Sequence, residues 1–141
     1  MALDDDDPEV QAIAAKARET LPHFEALHAR LAKHSDAYSC FKFLLEDGEY
    51  IAHVWVRFLT RDAKSYTGVI FEIPHEFKRF KVGTRVQVPR EMIEDWMIND
   101  DGTMYGAFSL RYQRSHLPKN RRATFDRFVG ITCFADNTPT G

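Results

Sequence analysis

Cysteine is scarce: Cys40 and Cys133 are the only two in 141 residues, and no Cys-x-x-Cys pair occurs. A disulfide framework or a thiolate zinc site therefore has little support in the sequence, and two buried free thiols are expected. No apolar run approaches the roughly 20 residues that cross a bilayer, and the chain opens on Asp4 to Asp7 where a leader would place a basic and then an apolar segment. The cytoplasm is the expected compartment, with no membrane contact. A Gly-rich phosphate loop, a His-Glu-x-x-His helix and a Gly-x-Ser-x-Gly elbow are all missing. His23, His28, His34, His75 and His116 show no metal-ligand spacing, so neither metal nor cofactor is expected.

A large charge of one sign is missing too, since the net charge is −2. Its distribution is uneven: residues 1–60 hold 6 basic against 11 acidic side chains, and residues 61–141 hold 13 against 10. Between Arg111 and Arg127 lie Arg111, Arg114, Lys119, Arg121, Arg122 and Arg127, with Asp126 the lone acid. What is present otherwise is ordinary: 44% hydrophobic, 13% aromatic and 28% charged residues describe a soluble globular chain. The length suits one domain over residues 1–141 with its own core. Its parts read as a helical segment at 8–34, an antiparallel sheet at 38–112 and a basic segment at 113–141.

Asp7, Pro8 and Glu9 form an N-cap, a proline at the first helical position and an acid in the first turn. Val10, Ile13, Ala17, Leu21, Phe24, Leu27 and Leu31 then make a helical stripe, interrupted at Pro22. Two helices, 8–19 and 21–34 with Thr20 capping the second, or one kinked helix are both open. From Tyr38 the period changes to 2. Tyr38 to Glu46 and Glu49 to Leu59 are joined by Asp47-Gly48, a hairpin signal. That loop sets Phe41 opposite Val54 and Phe43 opposite Ala52 on an apolar face, and Lys42 opposite His53 and Tyr38 opposite Arg57 on the other. A four-residue turn at 61–64 continues into a strand at 65–73, with Val69 and Phe71 on the apolar face and Gly68, Ile70 and Glu72 on the second. Further strands are expected at 84–88, along Met104, Phe108, Leu110 and Tyr112, and at 128–134. A helical turn is expected at 75–80, burial for Met92, Ile93 and Trp96, and a frayed tail at 137–141. The fold class is α+β: N-terminal helices on a bent antiparallel sheet of five or six strands, or a partly open small barrel.

The order Glu49, His53, Trp55, Gly68, Pro74, Gly83, Val86, Ile93, Asp95-Trp96, then Gly102 and Gly106 resembles a bacterial family known as domain of unknown function 2314. The resemblance covers residues of about 38 to 112. It implies no activity, cofactor or catalytic residue, and in function only regulatory or immunity-type roles.

Glu49 and His53 are four apart, but on a strand that is about 13 Å, too far for one ion or a proton relay. The expected partner of His53 is Glu72, either as a structural pair or in a binding or catalytic site. Trp55, Tyr38, Tyr66 and Ile70 beside Arg57 would form a patch for a planar or anionic ligand, with Gly68 leaving room, unless the N-terminal helices cover that face. Asp95-Trp96 reads as a structural corner whose aspartate accepts backbone N–H groups. The function expected is a non-enzymatic module binding another protein, as monomer or homodimer. The alternatives are nucleic-acid or phosphate binding through 111–127 and a small hydrolase using His53 with Glu72 or Asp95.

Overall fold

The computed structural model describes residues 7–33 and 36–135. The tail expected at 137–141 and His34 lie outside the described residues. Asp7 accepts the Glu9 N–H at 2.8 Å and Pro8 needs no donor there, so α1 (Pro8–Glu19) begins where its sequence says. A second helix, α2 (Leu21–Leu31), follows, with Pro22 in its first turn, where no intrahelical bond is lost. Thr20 is the N-cap residue of α2, as expected, but its side chain makes no cap bond. Its hydroxyl donates to the Lys16 carbonyl at 2.8 Å and accepts the Trp96 indole N–H at 2.9 Å.

Among the described residues seven strands form one open sheet: β1 (Tyr38–Asp47), β2 (Tyr50–Arg61), β3 (Ser65–Ile70), β4 (Arg85–Pro89), β5 (Ile93–Asp100), β6 (Thr103–Gly106) and β7 (Cys133–Phe134). Their order is β4-β3-β2-β1-β5-β6-β7, antiparallel except where the short β7 joins β6. The class is α+β with a bent sheet, one strand richer than expected.

The turn between β1 and β2 is Gly48-Glu49, one residue later than expected, so Phe43 pairs with Val54 and Lys42 with Trp55. A shift of two in register keeps every face, because side chains alternate with period 2. The next pairing breaks the expectation. Phe58 meets Gly68 but Thr60 meets Thr67, an irregularity around Leu59 that slips β3 by one residue. Tyr66, Gly68 and Ile70 therefore turn to the apolar face, while Phe71 is exposed. Gly68 does not make room over Arg57. A Cβ there would lie 2.8 Å from Phe41 Cε1 and 2.8 Å from Val56 Cγ2, so the glycine lets the Phe41 ring and the Val56 side chain close over it.

On that face α1 and α2 bury Ala17, Leu21, Phe24 and Leu27 against Phe41, Val56, Phe58, Tyr66 and Trp96. The Phe24 ring lies 5.2 Å from Phe58 and 5.2 Å from Trp96, in a sealed aromatic cluster where each buried ring contributes about 1.5–3 kcal/mol.

The C-terminal third differs from its reading. Residues 75–80 form no helix, though Phe77 is buried, and Met92 is exposed after a single 3-10 turn at Arg90–Met92. The strand expected through Tyr112 stops at Gly106. Gly106 and Ala107 both take left-handed φ, 68° and 55°, and α3 (Phe108–Ser115) begins. The basic segment is a helix, α4 (Lys119–Val129), ended by Gly130 at φ 76°. Only Cys133 and Phe134 remain of the last strand, and Cys133 is exposed, not buried.

Candidate functional site

The second face of the sheet lies on the far side from α1 and α2. Cys40, Met97, Met104, Leu110 and Ile131 form a smaller core there, with Tyr38, Trp55, Phe125 and Val129 packed against it. α4 thus stands over this face but does not seal it. Between them runs a cleft of about 560 Å³. His53 and Trp55 of β2, with Glu72 beyond β3, line one wall; Leu110 of α3 and Phe125, Phe128 and Val129 of α4 line the other.

α4 is held at both ends. At its start Arg122 Nε donates to the Leu117 carbonyl at 3.2 Å, and in its last turn Asp126 is gripped by the Arg114 guanidinium at 2.7 and 3.0 Å. At the same end Asn99 donates to the Gly130 carbonyl at 3.0 Å and to the Tyr38 hydroxyl at 3.2 Å. Between these anchors no α4 side chain is fully buried.

Of the residues expected to act together, His53 and Trp55 do share the cleft. His53 does not pair with Glu72: β3 ends at Ile70 opposite Val56, short of His53, and the His53 Nδ1 is hydrogen-bonded instead to Glu94 Oε1 at 2.7 Å, reached across β1. Glu72 lines the same cleft, is exposed, and makes no ion pair among the described residues. Arg57 lies over the Tyr38 ring at 5.2 Å and does not line the cleft, so the pocket of indole plus guanidinium is not assembled. Tyr66 is on the opposite face, sealed, donating its hydroxyl to Glu25 at 2.6 Å; burial and that carboxylate raise its pKa. Glu25 also holds Arg90 at 2.6 Å and Arg61 at 2.9 Å.

Asp95 is fully buried and accepts four hydrogen bonds: from the N–H of Trp96 (2.8 Å), Phe108 (3.1 Å) and Ser109 (2.7 Å), and from the Ser109 hydroxyl (2.6 Å). It serves the first turn of α3 as a cap supplied from another strand. Burial pushes its carboxyl above the ordinary range, opposed by the Ser109 hydrogen bonds and by Lys42. Lys42 is itself buried, paired in register with both Asp95 and Trp55, its Nζ 6.0 Å from the indole. Cys40 is equally inert, burial pushing its thiol up to about 12. No group of three His, Cys, Asp or Glu side chains among the described residues is placed to hold a metal ion.

The basic run is divided. Arg111 donates to the carbonyls of Gly106, Met104 and Ala135 and lies over the Phe134 ring, so it pins β6 to β7. Arg114 and Arg122 hold α4, while Lys119, Arg121 and Arg127 are exposed. Phe125, Phe128, Val129 and Glu94 were not among the expected site residues. A signal for the first three exists in their helical spacing between Pro118 and Gly130.

The chain is 33% identical over 86 residues to a protein of Neisseria meningitidis serogroup B that carries the provisional name of an ankyrin repeat protein. The match covers 61% of this chain and 34% of that protein, so the chain spans about a third of its relative. No solved structure matches. No helix among the described residues is long and apolar enough to cross a membrane. The family model extends beyond the sheet to take in all four helices, and with residues 7–133 matched the chain belongs to the family of domain of unknown function 2314, described as an uncharacterized protein conserved in bacteria.

Proposed function

We propose that the chain is a non-enzymatic binding module of the cytoplasm whose partner is another protein, held in the cleft between β2 and α4. The observation that carries this reading is Phe128, which is 85% exposed on the cleft wall. Leaving a phenylalanine in water forgoes about 1.5–3 kcal/mol of burial. Ile51, two residues from His53 on the same face of β2, is 59% exposed, and Phe71, next to Glu72, is 45% exposed. An apolar surface of this kind, edged by polar groups, is typical of an interaction site. A regulatory or immunity-type role, implied by the family resemblance, is a role of this sort. Two free cysteines, one exposed, suit a reducing compartment.

The other two readings draw less support. Three of the six basic side chains are committed to carbonyls or to Asp126, which leaves fewer for phosphates. The hydrolase reading needs His53 beside Glu72 or an accessible Asp95, but Glu94 occupies His53 and four donors surround Asp95. The test is a pull-down from the native host with the wild-type chain and with Phe128→Asp. A protein captured by the first and lost from the second, with thermal stability equal, is the expected result. Equal capture by both sinks the proposal.

A further inference from the structure

Resting on that reading, we infer that the cleft takes a short segment of the partner in which a large apolar side chain stands beside a lysine or arginine. Three features of the cleft select this chemistry. Its volume of about 560 Å³ sits within the roughly 300–1,000 Å³ of pockets that enclose a small ligand, so it admits a few side chains and not a domain. Its walls are aromatic and aliphatic: Trp55, Leu110, Phe125 and Val129 offer one apolar side chain a desolvated seat. Its charge is negative. Glu72 is the formally charged lining residue, with no ion pair among the described residues, and Glu94 stands behind His53. No lysine or arginine lines the cleft. Lys42, the register partner of both Trp55 and Asp95, is buried and does not line the cleft. A cation on the incoming segment meets Glu72, and an anion meets no lysine or arginine.

The test is photo-crosslinking in the native host, with benzoylphenylalanine at position 128 and, as control, at position 29 on the exposed side of α2. The partner peptide attached at 128 is then sequenced by mass spectrometry. The expected result is attachment at 128 and not at 29, to a segment with a large apolar residue beside Lys or Arg. A synthetic copy of that segment, titrated against the purified chain, changes Trp55 emission and binds Glu72→Lys about tenfold more weakly, a loss of roughly 1.4 kcal/mol. Trp96 is sealed, so the change reports the cleft. Attachment to a segment lacking this pairing, on any protein including another copy of the chain, overturns the inference while protein binding stands. Equal or absent attachment at the two positions overturns both.

Discussion

Asp95 on β5 takes both the backbone N–H and the hydroxyl of Ser109 on α3, at 2.7 and 2.6 Å. A helix that starts from a left-handed alanine has no cap of its own, and a buried carboxylate supplies it. Asp95→Ala orphans the first donors of α3 in the interior and should cost about 3 kcal/mol. Ser109→Ala removes one hydroxyl and should cost about 1 kcal/mol. Urea denaturation checks the pair; equal losses would refute the capping role.

Gly106 is a second determinant of where β6 ends. A Cβ on it would lie 2.5 Å from Trp96 Cε3, at a φ of 68°. Gly106→Ala should therefore lower stability by about 2–4 kcal/mol, combining left-handed strain with overpacking. Gly48 has a similar φ of 63° with nothing within 4 Å, so Gly48→Ala carries the strain alone, about 1 kcal/mol. A ratio near one in the denaturation free energies would contradict the packing argument.

His28 gives the fold a dependence on pH. Burial holds its pKa below the ordinary 6.5, with Ser39 Oγ at 2.7 Å and the Phe58 ring at 4.8 Å. The unfolded chain binds the proton more readily, so this contribution is complete above pH 6.5, shrinks as pH falls below it, and levels off under the folded-state pKa. The denaturation midpoint of the wild type should fall across that window, and His28→Leu should lack this part of the fall. Parallel profiles would remove His28 from the account.

The basic segment should divide by partner. Arg114→Ala frees Asp126 and should speed hydrogen exchange of the α4 amides. Arg121→Ala, an exposed side chain, should leave the exchange unchanged. If both variants bind DNA as the wild type does, and weakly, the segment is scaffold and not a nucleic-acid site.

Much of this fold was legible in the sequence, and the misses have physical causes. The stripe from Ile13 to Leu31 and the alternation of β1 and β2 place their apolar faces correctly, since an error of two in register changes no face. One irregular residue near Leu59 was enough to invert β3, and with it the places of Tyr66, Gly68 and Ile70. No composition rule marks such a bulge. α3 was hidden because Met104, Phe108, Leu110 and Tyr112 alternate like a strand, while its cap sits on another strand. The cleft was half legible. His53 and Trp55 stood out, but the wall opposite them comes from α3 and α4, where the alternation suggested strands through Tyr112 and at 128–134.

A partner seated between β2 and α4 leaves its mark on hydrogen exchange of the chain measured with and without that captured partner. Binding should protect the amides of His53 to Trp55 and of Phe125 to Val129 and leave α1 and α2 unchanged. Protection confined to α1, α2 or the β4 edge, with none along the cleft, would contradict it.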